Sequence, residues 1–334
     1  MAEEKGQSTI VFMGTPPFAA TILQKLASWP HGQLLGVFTQ PDRPAKRGQK
    51  NLPSAVKLQA EELNIPIYQP KSLKGDADFA TLAALKPDFL LVAAYGLLLP
   101  KRVLSLPKYP PLNVHASLLP SYRGAAPIER AIMDGIAPNA KTGISIMEMV
   151  EALDAGPVYA KAEILLGEQT ADELLTNLAP LGADLLLKVL EQMLNGQAQK
   201  TPQDDSLATY AAKLSKNDGV INFKASAAKV HAQIRAVTSK PGAQVTLAFP
   251  QIDKTFELKI LPGQIEPKAT NSAPGLVYLD KDSLKIACAD FWYKLSQVKP
   301  KGKAFMPVKA FINGYLNNLP ASLEAGQVIY PNAD

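Results

Sequence analysis

The 334-residue chain contains one cysteine, Cys288. A disulfide framework within the chain is thereby excluded, and a thiolate metal site is disfavoured. Such sparing use of thiols fits a reducing, cytoplasmic compartment. Histidine is nearly as scarce, with only His31, His115 and His231. None of them falls in a His-x-x-x-His or Glu-linked ligand pattern, so no metal is predicted. Long apolar runs are also missing. The longest, Phe89 to Leu99, is interrupted by Gly96 and falls well short of a bilayer span, so no membrane segment is expected. The opening stretch Met1–Ser8 is polar and acidic, unlike a signal or transit peptide. Finally, the first apolar run is followed by Gly14-Thr-Pro-Pro17 and not by Gly-x-Gly-x-x-Gly. A nicotinamide or flavin dinucleotide is therefore not supported.

What remains is ordinary globular material, 47% hydrophobic and 19% charged, in a chain long enough for two domains. The net charge of +5 is unevenly spread. Residues 1–205 carry 19 basic and 21 acidic side chains, a net −2, whereas 206–334 carry 16 and 9, a net +7. A basic C-terminal part suits a polyanion partner; a lysine-rich surface chosen for solubility is the plainer alternative.

Through the first two thirds, apolar strand patterns alternate with helical ones. Strands are expected at 9–13, 34–39, 87–94, 112–115, 142–149 and 156–166, and an extended run at 65–68. Helical pattern covers 18–26, 55–63, the stretch from Pro127 to a stop at Gly135, and 171–194 as one helix or a pair. This predicts a Rossmann-like α/β domain with a mostly parallel sheet over 8–196. Residues 197–209 are polar, contain proline and lack periodicity, as a linker does. Beyond them a helix near 225–236 precedes short strands at 244–249, 256–261, 275–279, 284–288 and 292–298, then a helix at 308–316. Closely spaced short strands predict a small C-terminal β-barrel, OB-like, over 210–334. Cys288 shares a face with Leu284 and Ile286 and reads as a core residue.

The chain is organised around Pro111–Pro127. Side chains two apart leave one face of a strand, so Asn113 and His115 project together from the end of an apolar strand. An amide and an imidazole so placed can stabilise a developing oxyanion and handle protons, as acyl transfer requires. Asp154, in Leu-Asp-Ala-Gly-Pro, is either a turn aspartate bonding its own backbone or a carboxylate that orients His115. Glu148 and Glu151 nearby are expected to be solvated. His31 and His231 are expected at the surface. The loop Pro41–Lys50 carries Arg43, Lys46, Arg47 and Lys50 and reads either as a phosphate-gripping loop or as an ordinary mobile one. A second basic run, Lys294–Lys309, lies in the expected barrel. Trp292 and Tyr293 could stack on bases, though core packing is the plainer role.

The run Asn113-Val-His-Ala-Ser-Leu-Leu-Pro-Ser-Tyr-Arg-Gly-Ala-Ala-Pro-Ile128, with Leu153-Asp-Ala-Gly-Pro157, resembles the signature of the formyltransferases that use 10-formyltetrahydrofolate. Met13-Gly-Thr-Pro-Pro-Phe18, Val37–Pro44 and Tyr210-Ala-Ala-Lys-Leu-Ser-Lys216 are similar to the branch acting on methionyl-tRNA. The resemblance runs from about residue 10 to about 316. It implies that Asn113, His115 and Asp154 form a catalytic trio, with Asp154 holding His115. It implies a folate pocket lined by Ser117, Leu118, Leu119 and Pro120. It implies that the methionine α-amino group of initiator tRNA receives the formyl group in a monomeric cytoplasmic enzyme. Arg43, Lys46, Arg47 and Lys50 would contact the acceptor end of the tRNA. The sequence departs from the usual family pattern at Lys46, at Lys240 and in the turn Cys288–Phe291. A formyltransferase for a sugar nucleotide would share the trio, with less use for the basic loop and barrel.

Overall fold

The computed structural model describes residues 7–42, 52–320 and 323–330. In chain order the elements are β1 (Ser8–Gly14), α1 (Pro17–Ala27), β2 (Gly32–Phe38), α2 (Ala55–Glu62), β3 (Ile67–Tyr68), α3 (Asp76–Ala84), β4 (Phe89–Ala93) and α4 (Lys101–Leu104). Then come β5 (Leu112–His115), β6 (Arg123–Gly124), α5 (Pro127–Asp134), β7 (Lys141–Glu148), β8 (Val158–Leu165), α6 (Ala171–Leu194) and β9 (Tyr210–Ala211). The remainder is α7 (Ala227–Val237), β10 (Ala243–Phe249), β11 (Lys254–Ile260), β12 (Gln264–Ala269), β13 (Leu276–Asp280), β14 (Ser283–Ala287), β15 (Phe291–Lys294), β16 (Gln297–Pro300), β17 (Met306–Pro307), α8 (Val308–Tyr315) and β18 (Leu323–Ile329).

The chain forms two compact units. The first takes in residues up to Pro127, Lys141–Ile164 and Leu174–Ala211. Its sheet has the order β3-β2-β1-β4-β5-β7-β8. Strands β3, β2, β1, β4 and β5 run parallel, and β7 is antiparallel to β5. All five residues of β4 are buried, as an inner strand covered on both faces requires. One core packs Val11, Met13, Phe38, Leu90, Val92 and Tyr95 together with α3 and α4, two short helices that periodicity did not reveal. Pro17 opens α1, where a missing backbone N–H costs nothing. The order of the parallel strands reverses between β1 and β4, and β5 lies one strand beyond that switch.

Helix α6 is continuous over 24 residues although Pro180 lies inside it, so the pair of helices is one. Its start is closed by a capping box: Glu173 accepts from the Thr170 N–H (2.8 Å) and hydroxyl (2.7 Å).

The second unit comprises Ile128–Ala140, Leu165–Glu173 and the chain from Ala212. Its sheet has the order β12-β15-β14-β13-β18-β10-β11-β16-β17, an antiparallel half-barrel. The expected single strand at 292–298 is two, because β15 pairs with β12 and β14 whereas β16 pairs with β11 and β17. The break falls at Leu295 and Ser296, where the Ser296 hydroxyl donates to the Pro262 carbonyl (2.7 Å). Tyr293 and Phe311 are fully buried, and Cys288 is 1% exposed. Burial pushes the Cys288 thiol up to about 12. Trp292 is half-buried and lies tilted against Tyr278.

His231 corrects the surface expectation. Its side chain is 14% exposed, its Nε2 meets Glu168 Oε2 at 2.7 Å and its Nδ1 meets the Tyr293 hydroxyl at 2.9 Å. The Glu168 carboxylate only accepts, so Nε2–H donates to it, and in the neutral ring Nδ1 then accepts the Tyr293 hydroxyl, whose oxygen also takes the Gly263 N–H. Burial is the leading cause that lowers the pKa of His231. His31 is exposed, edge-on to Trp29.

Candidate active site

Leu112 and Val114 bury one face of β5, and Asn113 and His115 occupy the other. Leu112, Asn113, Val114 and His115 register with Glu148, Met147, Ile146 and Ser145 of β7. Asn113 is half-buried and His115 is 6% exposed.

The imidazole lies between two loops. Its Nε2 is 3.1 Å from the carbonyl oxygen of Tyr122. A carbonyl can only accept, so Nε2 carries the hydrogen. Its Nδ1 faces Asp154 Oδ2 at 3.8 Å, with the carboxylate side chain 12% exposed. That separation is too long for a hydrogen bond and short enough for strong charge interaction. The same Oδ2 accepts the Gly124 N–H at 2.9 Å. Oxygen atoms of Tyr122 and Asp154 thus face the two ring nitrogens.

Asp154 thus comes from 39 positions away in sequence to the side of His115. It does so from a left-handed backbone, φ 49°. Tyr122, on the opposite loop, is also left-handed, φ 61°. The Tyr122–Gly124 segment is held by the stretch 209–211. Tyr122 N–H donates to the Thr209 hydroxyl (2.8 Å), Arg123 N–H to the Thr209 carbonyl (2.9 Å), and β6 pairs in parallel with β9. Gly124 has φ 126°, and a Cβ there would stand 2.6 Å from the Ala211 carbonyl. Only glycine fits.

The Ser117–Pro120 loop is fixed by β7. Ser145 donates its hydroxyl to the Ser117 carbonyl (2.7 Å) and accepts the Leu119 N–H (3.1 Å). Ser117 is fully buried and donates to the Ser121 carbonyl (2.6 Å). Leu119 packs with Met147 and Val158. Leu118 and Pro120 are the half-exposed members. Apolar side chains that pattern reading did not single out stand exposed on neighbouring loops: Leu98 after β4, and Val150 and Leu153 in the loop that carries Asp154. Exposed apolar side chains on the loop that carries Asp154 are the available signal for a ligand with an apolar or flat face.

Glu148 is not solvated as expected. It is 19% exposed, taking Lys200 Nζ at 2.6 Å and the Tyr159 hydroxyl at 3.3 Å. Glu151 is 63% exposed and pairs with Lys101 at 3.2 Å. Arg43, Lys46, Arg47 and Lys50 lie outside the described residues. Asp42, just before them, accepts from Lys57 (2.7 Å) and Gln69 (2.8 Å), bonds that hold its carboxyl below the usual range. Among the described residues no group of three or more His, Cys, Asp or Glu is placed to hold a metal ion, and no helix is long and apolar enough to cross a membrane.

An amide and a buried imidazole at the end of a strand in a mostly parallel sheet, with a carboxylate beside the ring, are groups of the kind an α/β acyl-transfer enzyme uses. Two family models match the chain, "Formyl transferase" over residues 8–190 and "Formyl transferase, C-terminal domain" over 213–316. The chain is 53% identical over 325 residues to the methionyl-tRNA formyltransferase of Desulfovibrio desulfuricans, covering 96% of each. It is 45% identical over 317 residues to that of Nitratidesulfovibrio vulgaris, covering 94% of this chain and 95% of the relative. The chain belongs to the methionyl-tRNA formyltransferase family. In fold it is also similar to the solved structure of WlaRD, a sugar 3N-formyl transferase with dTDP and 5-N-formyl-THF, at TM-score 0.62 and 17% identity over 89% of this chain and 99% of that one.

Proposed function

We propose that this chain formylates the α-amino group of methionine on initiator methionyl-tRNA, taking the formyl group from 10-formyltetrahydrofolate. The observation that carries the mechanism is the approach of Asp154 Oδ2 to His115 Nδ1 at 3.8 Å in a pocket that also offers the Asn113 amide on the same strand face. The folate supplies an activated formyl carbon. The flat face of its pterin would lie against Leu98, Val150 and Leu153, with Leu118 and Pro120 along the rim; their exposure fits such a ligand.

Asn113 donates from its amide to the formyl oxygen as negative charge builds there. His115 Nδ1, whose lone pair is free of the Tyr122 bond, takes the proton that the amine sheds as its nitrogen bonds the formyl carbon, and returns it to N10 of the folate as the C–N10 bond breaks, releasing tetrahydrofolate and the formylated amine. Asp154 stabilises the imidazolium that results. Removing water from around this pair strengthens the charge interaction when both substrates are bound.

The tRNA is expected to meet the basic residues Arg43, Lys46, Arg47 and Lys50. The second unit supports contact with a polyanion through Lys259, Lys299 and Lys301, which line a cavity of about 470 Å³ with Glu257.

The test is incubation with 10-formyltetrahydrofolate and charged initiator tRNA, scoring the blocked amine. Formylation that weakens steeply with salt supports the reading. Formyl transfer to a sugar-nucleotide amine, with none to methionyl-tRNA, overturns it.

A further inference from the structure

Gln203 lies in the stretch whose composition suggests a mere connection. Its side chain bonds through both ends of the amide. The amide NH₂ donates to the carbonyls of Asp154 (2.8 Å) and Gly156 (2.7 Å), and Oε1 accepts from Arg123 Nε (3.0 Å). This orientation is dictated by its partners. Guanidinium only donates and carbonyls only accept, so a reversed amide would mismatch all three. Arg123 is itself held: its side chain is 4% exposed and its other arm reaches Asp205 at 2.7 Å.

The residues joined are those that flank His115. Arg123 sits between Tyr122, whose carbonyl meets Nε2, and Gly124, whose N–H holds Asp154 Oδ2. Asp154 and Gly156 belong to the opposite loop. One side chain therefore spans the two loops and grips the left-handed Asp154 by its own carbonyl. The geometry points to Gln203 as a positioning residue for formyl transfer, holding the loop of Asp154 in register with Tyr122–Gly124 so that the carboxylate faces the ring. This rests on the reading that His115 and Asp154 serve the reaction. Gln203 touches no reacting atom in that scheme, so its loss should act on turnover and not on ground-state binding.

The test is steady-state kinetics with 10-formyltetrahydrofolate and charged initiator tRNA for Gln203→Ala, Gln203→Glu, Asp154→Asn and the double variant Gln203→Ala/Asp154→Asn, each with a thermal melt. Gln203→Glu keeps the acceptor for Arg123 but turns a carboxylate oxygen toward the two loop carbonyls, so it drives the Asp154 loop away while the Arg123 bond stays. Both Gln203 variants should lose roughly tenfold in kcat, with both KM values within about twofold. In the Asp154→Asn background the same Gln203→Ala change should cost less than about twofold, because the group being positioned is already gone. Unchanged kcat in both Gln203 variants, additive losses in the double variant, or collapse of the melt in Gln203→Glu would each overturn the assignment. Full activity of Asp154→Asn would instead overturn the underlying mechanism, which keeps the two failures distinct.

Discussion

Replacing Asp154 by asparagine removes one negative charge and little else. The pair is 3.8 Å apart, with side chains 6% and 12% exposed. At that distance and an effective dielectric near 20, two unit charges interact by about 4 kcal/mol. Salt screens so enclosed a pair only weakly. Only the part that grows as the ring becomes cationic contributes to rate, since attraction present throughout lowers no barrier. If that part is most of the interaction, Asp154→Asn should lower kcat by about 10²–10³-fold. Both KM values should stay within about threefold, because neither substrate-binding surface is altered. An asparagine Oδ1 can still accept the Gly124 N–H seen at 2.9 Å, so the melting temperature should move by no more than about 2 °C. The assay is the initial rate of acid-stable formyl label on methionyl-tRNA, with saturating folate. A variant that keeps more than about a third of wild-type kcat would refute the charge argument and leave Asp154 as a turn residue that happens to lie near an imidazole.

His115→Ala should cut kcat by at least about 10²-fold while tRNA affinity in a filter-binding assay stays nearly unchanged; near-normal turnover would remove His115 from the reaction. Gly124→Ala forces a Cβ toward the Ala211 carbonyl at φ 126°, at a cost of about 1–3 kcal/mol. Calorimetry should find a melting temperature lower by about 3–8 °C, together with slower turnover, and an unchanged melt would show that the β6–β9 contact yields freely. The Cys288 thiol, pushed up to about 12 by burial, should resist a chromogenic thiol reagent at pH 8 and react on adding urea. Rapid stoichiometric labelling of the native protein would contradict that burial.

Much of this architecture follows from local chemistry. Alternation placed Asn113 and His115 on one face of β5, whose observed span Leu112–His115 matches the apolar pattern, because period two is a property of any strand. Pro127 opens α5 for an equally local reason, its fixed φ, whereas at the other end a Cβ on Gly135 would meet the Leu166 side chain, a neighbour that only packing supplies. The continuous apolar run at Phe89–Ala93 marked a strand covered on both faces. By contrast, β12 is mostly exposed and holds Pro267, so it carries no pattern that distinguishes it from a loop; only its pairing with β15 makes it a strand.

The candidate site divides along the same line. Residue types and short spacing were enough to name Asn113 and His115; they left Asp154 with two readings, and the resemblance implied the one beside His115. What composition could not express is how the chain returns. Asp154 reaches His115 across 39 residues, His231 is buried by Glu168 and Tyr293 from 63 and 62 residues away, and Gln203 clasps Asp154 across 49. A side chain's own identity sets which bonds it can make, and neighbours in sequence set its direction. Which partner completes the bond depends on distances that close only when strands, loops and connecting chain have packed, and that was decided by the tertiary structure alone.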